Sequence, residues 1–197
     1  MPILRFKVPP TPQTLGQVLS KQAKTERIEI GEGKEANLNT VKFMRQVAHK
    51  RKADPKVRAL ALWILNKARV TSHDYLAEAK ALGDFVKTQI RYVKDCHGVE
   101  QIHDPLLLIR QIGEMRAQAD CDDQSLLLAT LLLSIGHQPY FKIVRYTGRD
   151  GPYNHIYVVD YVQVKGKGKK RFVMDPIVKD QPTGFEVRHA SGDEIRV

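Results

Sequence analysis

Three residues of the types that can together perform nucleophilic catalysis occur in the order Cys121, His155, Asp175. Cys121 follows Asp120 at the start of a leucine-rich segment predicted to be a helix. A helix N-terminus carries unsatisfied N–H groups and partial positive charge, which favour a thiolate and can stabilise an oxyanion. The pattern therefore predicts a cysteine nucleophile served by a histidine base and an orienting carboxylate.

The base and the carboxylate are predicted on neighbouring strands. His155 begins a strand predicted over 155–164, and Asp175 follows a strand predicted over 171–174. The glycine-containing segment 165–170, with sequence KGKGKK, is predicted to form the hairpin between them. Because the strands of a hairpin pair side by side, we expect His155 and Asp175 to be close neighbours.

Two carboxylates oppose the activation of the thiol. Asp122 and Asp123 directly follow Cys121, and their negative charge disfavours a thiolate. An ion pair between the thiolate and protonated His155 would offset them, and the sequence leaves this balance open.

Two further residues are candidates for support of the site. Tyr92 either lines the cleft, where its hydroxyl would assist the oxyanion, or packs on a helix, which is the commoner role of such a tyrosine. Asn154 either braces His155 or forms the turn that begins the strand, and we favour the turn.

The elements that position these residues divide into helices followed by strands. Helical apolar spacing begins at Leu38, and helices are predicted to open at Asp54-Pro55, at one of Thr71, Ser72 or Asp74, and at Asp104-Pro105. The segment after Cys121 is apolar all round, which predicts a central helix ended by Gly136. From Tyr140 the apolar period becomes two, so we predict an α+β fold: a helical N-terminal half, a buried helix carrying the cysteine, and an antiparallel β-meander.

The stretches ADCDDQSLLLATLLLSIGHQPYFKIVRY, NHIYVVDYV and RFVMDPIV resemble the transglutaminase-like superfamily. This resemblance implies a papain-like core over about 90–178, with Cys121, His155 and Asp175 as nucleophile, base and orienting acid. Ala119 stands where the family often has glycine, and Tyr157 supplies the aromatic residue that often follows the histidine. The family contains cross-linking acyltransferases, cysteine peptidases, amidases and members without activity.

The stretch RYVKDCHGVEQIHDPLLLIRQI is similar to transglutaminase-like proteins encoded among the virion and morphogenesis genes of bacterial viruses. This second resemblance implies a phage-encoded protein that acts in the host cytoplasm or is carried in a virion.

The organisation predicted from the sequence is an extended arm over 1–36, one domain over 37–180 and a tail over 181–197. Four prolines exclude a helix from the start of the arm, and Gly31 and Gly33 interrupt its end. Nine basic residues lie in 41–69, among the predicted helices. The arm and this basic segment are candidates for docking to an assembly partner, and nucleic acid is a weaker alternative. The ordinary interpretation of the basic segment is a solvated helix surface.

Composition excludes several classes of protein. The chain has 197 residues, a net charge of +10 and 42% hydrophobic residues, which is typical of a globular domain. No apolar stretch is long enough for a membrane span, and we see no signal peptide, so a cytoplasmic location is expected. Cys96, His97 and His103 lack the usual zinc-finger spacing, and no nucleotide or metalloprotease motif occurs, so neither a metal nor a cofactor is predicted.

Two functions are consistent with these residues. The first is a thiol enzyme that attacks a carboxamide or peptide carbonyl and passes the acyl group to water or to an amine. The second is a catalytically silent member of the fold that serves as a structural or assembly protein. Replacing Cys121 with alanine abolishes the first function, whereas deleting 1–36 affects mainly the second.

Overall fold

The structure is a computed structural model that describes residues 33–95, 101–146 and 153–197. Most of the expected arm lies outside the described residues, as do Cys96 and His97.

Helices form the first two thirds of the described chain. They are α1 (Gly33–Arg51), α2 (Pro55–Lys67), α3 (Tyr75–Gln89), α4 (Pro105–Gly113) and α5 (Cys121–Ser134). We expected Gly33 to interrupt regular structure within an arm that ended at residue 36. Instead α1 begins at Gly33, so the last residues assigned to the arm are helical.

An aspartate caps the N-terminus of four helices. The carboxylates of Asp54, Asp74, Asp104 and Asp120 each accept a hydrogen bond from a backbone N–H in the first turn. Such a cap contributes about 1 kcal/mol because it satisfies a donor that has no partner inside the helix. The helix starts predicted at Asp54-Pro55 and Asp104-Pro105 are confirmed, and Asp74 is the cap among the three candidates for the third helix.

Helix α5 lies at the centre of the fold, as its apolar sequence predicts. Twelve of its 14 residues are buried, and it packs against the other four helices and against the sheet. Gly136 follows with a φ of 97°, the left-handed conformation in which glycine ends a helix without strain.

The sheet has four antiparallel strands in the order β5-β4-β3-β6. Their bounds are β3 (Tyr140–Arg145), β4 (His155–Val164), β5 (Gly168–Met174) and β6 (Ser191–Arg196), and a separate parallel pair is formed by β1 (Arg91–Tyr92) and β2 (Gln118–Ala119). The predicted meander is confirmed as β3-β4-β5. The expectation of a tail over 181–197 is wrong in part, because β6 pairs with β3 along its length and so belongs to the sheet.

The two faces of the sheet are covered differently. Ile156, Val158 and Met174 face the helices and join the main core. Val144, Tyr157, Val159 and Val173 form a smaller cluster on the opposite face. The segment between β5 and β6 is fastened to this face, where the Tyr157 hydroxyl donates to Glu186 at 2.6 Å and Arg171 binds the same carboxylate with two nitrogens.

No helix within the described ranges combines the length and the apolar character that a membrane span requires.

Candidate active site

The fold places His155 and Asp175 in direct contact. His155 is the first residue of β4 and Asp175 follows the last residue of β5, which pairs with β4. The Nε2 atom of His155 lies 2.7 Å from Oδ2 of Asp175, and both side chains are almost fully buried. The other Asp175 oxygen accepts the backbone N–H of Ile177 at 3.2 Å, which fixes the carboxylate. Because a carboxylate only accepts hydrogen bonds, Nε2 carries the hydrogen and Nδ1 is left with a lone pair.

Cys121 lies at the same end of the sheet. It is the first residue of α5, and its sulfur accepts a hydrogen bond from the backbone N–H of Ile156, the residue after His155. One turn further along α5, the Ser125 hydroxyl donates to the Ile156 carbonyl at 3.1 Å. The start of α5, with Cys121, is thereby held against the start of β4, where His155 lies.

The electrostatics of the thiol differ from the simple expectation for a helix N-terminus. Burial raises the pKa of the Cys121 thiol well above its ordinary value, and the charges of Asp122 and Asp120 raise it further. Hydrogen bonds from the backbone N–H groups of Ile156 and of Cys121 itself lower it, by less. Desolvation therefore outweighs the effect of the helix terminus, and the surroundings disfavour the thiolate.

One of the two carboxylates expected to oppose the thiolate is engaged elsewhere. Asp123 is fully buried and accepts the backbone N–H of His103 at 2.6 Å, and its second oxygen contacts the His103 ring at Nδ1. Asp120, whose charge was not considered from the sequence, is with Asp122 one of the two carboxylates that raise the pKa of the Cys121 thiol.

Sequence reasoning missed Tyr146, whose ring stacks on that of His155. Its ring lies 5.5 Å from the His155 ring, centroid to centroid, at an interplanar angle of 21°. The Tyr157 ring lies 5.6 Å from the His155 ring, centroid to centroid, at an interplanar angle of 36°. Burial raises the pKa of Tyr146, and the charges of Asp175 and Cys121 act in the same direction. The only available signal was its position at the end of a predicted strand.

The two predicted supporting residues have different surroundings. Tyr92 is 41% exposed, and burial, followed by the charges of Cys121 and Asp120, raises its pKa. It therefore lies at the surface, within electrostatic range of the Cys121 thiol. The side-chain oxygen of Asn154 accepts the backbone N–H of Tyr146 at 3.3 Å, which joins the ends of β3 and β4.

The carboxylates of Asp120, Asp122 and Asp123 lie within 4.8 Å of one another. Asp120 accepts the backbone N–H of Asp123 as the helix cap, and Asp123 is bound by His103. Asp122 also accepts the backbone N–H of Asp123, at 2.9 Å. Since protein donors already engage all three carboxylates, we assign no metal to them, and the absence of a metal or cofactor stays a prediction.

No protein-family model and no curated protein sequence matches the chain. Among solved structures, one similar fold is that of a "putative protease" from Parabacteroides distasonis, with a TM-score of 0.49 and 11% identity over 78% of this chain and 34% of that chain. Another is that of a "putative cysteine protease" from Cytophaga hutchinsonii, with a TM-score of 0.41 and 16% identity over 62% of this chain and 38% of that chain. The chain spans only slightly more than a third of the length of these proteins.

Proposed function

We propose that the chain is a transglutaminase-like thiol enzyme that transfers an acyl group from a carboxamide or peptide to an amine or to water. Cys121 is the nucleophile, His155 the general base and acid, and Asp175 the group that orients the imidazole. The 2.7 Å hydrogen bond between buried His155 and Asp175 is the observation that carries the proposal. It fixes the histidine tautomer in which Nδ1 can accept a proton.

The reaction begins from the neutral thiol. Nδ1 of His155 takes the Sγ proton of Cys121 as the sulfur attacks the carbonyl carbon, and a C–S bond forms. Removing the proton in the same step as the attack suits a thiol whose pKa is raised by burial. Asp175 stabilises the imidazolium that results.

The tetrahedral intermediate then collapses. Its oxyanion is stabilised by the Cys121 backbone N–H at the N-terminus of α5. The C–N bond breaks, and the imidazolium of His155 donates its proton to the leaving amine. A thioester on Cys121 remains. His155 next deprotonates water or an incoming amine, whose attack releases a carboxylic acid or a new amide and restores the thiol.

Incubation with a glutamine-containing peptide and a fluorescent primary amine tests this proposal. Amine incorporated into the peptide measures acyl transfer, and ammonia or new amino termini without incorporation measure hydrolysis. We expect one of these products from the native chain and a loss of at least about a hundredfold in Cys121→Ala and in His155→Ala. His49→Ala is the matched control, because His49 is exposed on α1.

The proposal fails if product formation persists in Cys121→Ala, or if neither product forms while Cys121 also resists a haloacetamide-bearing peptide. The second result leads to the alternative of a catalytically silent fold in an assembly. The observation that favours this alternative is the burial of the thiol among acidic groups, which raises its pKa. Carriage in a phage particle is supported by the sequence resemblance alone, and deletion of 1–36 followed by a particle-assembly assay tests it.

A further inference from the structure

Two lysines fasten the segment 175–183, which follows β5 and begins with Asp175, to the C-terminal end of α3. The Lys179 ammonium donates to the backbone carbonyl of Ile90 at 3.0 Å and also to that of Lys87, in the last turn of α3. In return, the Lys87 ammonium donates to the backbone carbonyl of Gln181 at 2.6 Å. The helix and the segment thus hold each other through charged donors, whose hydrogen bonds are stronger than those between neutral groups.

These bonds use carbonyls at the end of a helix. The last four carbonyls of a helix have no donor within it, and the negative end of the helix dipole favours a cation there. The Lys87 carbonyl is one of these four in α3, and Ile90 is the C-cap residue. The Lys179 ammonium therefore stabilises the C-terminus of α3 and anchors the segment at the same point.

Side-chain packing holds the segment on the same helix. A Cβ added at Gly83 of α3 would lie 2.9 Å from Cγ2 of Thr183 and 3.3 Å from Cγ of Met174. Met174 is the last residue of β5, directly before Asp175. The Thr183 hydroxyl donates to Oδ1 of Asp84, also on α3, at 2.5 Å. The segment is therefore packed on α3 at both of its ends, and the lysine bonds lie between these ends in sequence.

The segment in turn fixes the carboxylate of Asp175. Oδ1 accepts the backbone N–H of Ile177 at 3.2 Å, and Oδ2 lies 2.7 Å from Nε2 of His155. Ile177 is two residues before Lys179, so the position of its N–H depends on where the lysine holds the segment. A continuous series of bonds thus runs from the Lys179 ammonium to the His155 imidazole.

Lys179 also reaches the part of the chain that leads to Cys121. Ile90, whose carbonyl it binds, directly precedes β1, and β1 pairs in parallel with β2. Strand β2 ends at Ala119, two residues before Cys121. One ammonium group therefore connects the segment that carries the proposed acid to the strand pair that precedes the proposed nucleophile.

We propose that Lys179 is a positioning residue for this site, because it holds the segment 175–183 against α3 and so keeps the Asp175 carboxylate on the His155 ring. This inference rests on the proposed function, in which Asp175 orients the imidazole. Lys179 acts through the backbone of its segment, since its ammonium bonds to carbonyls of α3 and Ile90 and not to the reacting groups.

The test follows the hydrogen on Nε2 of His155 by NMR, in the full chain labelled with ¹⁵N-histidine at pH 6.5. Burial, followed by the charge of Lys87, lowers the pKa of Lys179 to about 8, so the amine is protonated under these conditions. The signal is assigned by its loss in His155→Ala, and the measured quantity is its rate of exchange with water. A loss of stability elsewhere in the fold leaves this rate unchanged, whereas a displaced Asp175 raises it.

In Lys179→Met the side chain keeps its length but loses its charged donor. We expect the His155 hydrogen to exchange about tenfold faster, because the carboxylate leaves the imidazole more often. Lys179→Arg restores a charged donor, and we expect it to return the rate to within about twofold of the parent's. Lys170→Met is the matched control, because Lys170 is exposed on β5, the strand that leads to Asp175.

An unchanged exchange rate in Lys179→Met overturns the proposal, and so does an equal acceleration in Lys179→Arg or in Lys170→Met. If Lys179→Met does not fold, Lys179→Gln takes its place, since glutamine keeps an N–H donor and loses the charge. We expect faster exchange there as well, and a rate equal to the parent's overturns the proposal in the same way.

Turnover of the glutamine-containing peptide with the fluorescent amine gives a second readout. The role proposed for Lys179 concerns the base and not substrate binding, so we expect kcat to fall about tenfold in Lys179→Met with KM nearly unchanged. An unchanged kcat contradicts the proposal. Failure of the proposed function is seen differently, as the absence of product that depends on Cys121 in the parent chain. Exchange of the His155 hydrogen is measured without substrate, so it decides the role of Lys179 in that case too.

Discussion

His137 offers the sharpest test of how buried charge stabilises this fold. It follows α5, and its ring lies between two carboxylates, 2.5 Å from Asp160 on β4 and 3.0 Å from Glu78 on α3. The three side chains are 2%, 4% and 11% exposed, so solvent screens the charges little. We predict that His137→Gln lowers the free energy of unfolding by roughly 3 kcal/mol, because removing the cation leaves buried negative charge uncompensated.

The pH dependence of this loss follows from the direction of the shift. Burial alone would lower the pKa of His137, but the hydrogen bonds and charges of Asp160 and Glu78 together raise it. A raised pKa means that the stabilisation is fully present below about 6.5, the ordinary value, and is lost as the pH rises through the raised one. The difference between the native chain and His137→Gln is therefore largest in mild acid and shrinks toward alkaline pH.

Urea unfolding followed by the fluorescence of Trp63, the single tryptophan, measures both effects. His49→Gln is the matched control, since His49 is exposed and its replacement should leave the midpoint unchanged. The reasoning is refuted if His137→Gln unfolds at the native urea midpoint, or if the difference grows as the pH is raised from 6 to 9.

Two further predictions concern the loop after the site and the orientation of the base. Gly184 has a φ of 109°, and an added Cβ would lie 3.0 Å from the Phe172 ring, so Gly184→Ala should lower stability by about 2 kcal/mol in the same urea assay. Gly166→Ala is the control: its φ is 73° and the space around it is open, so this substitution should lower stability only through backbone strain. Equal losses of stability in the two variants would show that the Phe172 ring plays no part. Asp175→Asn should reduce turnover by orders of magnitude with stability nearly unchanged, because an amide can hold His155 in the wrong tautomer, and undiminished turnover would exclude the orienting role.

Much of the fold is predictable where local chemistry and packing agree. Asp54-Pro55 and Asp104-Pro105 combine a capping carboxylate with a residue suited to the first helical turn, and both start helices as predicted. The helix after Cys121 has almost no polar face, so only a central position in the fold could bury all of its apolar side chains. The β4–β5 hairpin and the contact between His155 and Asp175 follow from one short glycine-containing turn.

The rest depends on contacts distant in sequence. Strand β6, with sequence SGDEIR, has almost no strand propensity, and it forms because β3 offers it an unpaired edge. The stacking of Tyr146 on His155 depends on how β3 and β4 end together in space. Desolvation of the Cys121 thiol depends on the depth at which α5 is packed, which the residue types around it do not reveal.

The central position of α5 also determines how the molecule opens. Amide hydrogens in a helix surrounded by other elements exchange with solvent only in the rarest and largest fluctuations, whereas strand ends and connecting segments exchange in smaller, more frequent ones. Residues 126–132, in the buried middle of α5, belong to the first class. Cys121, His155 and Asp175 stand at or next to the ends of their elements and belong to the second. Partial opening of the chain thus separates these three residues before the middle of α5 opens, and the proposed reactivity should be lost long before the core unfolds.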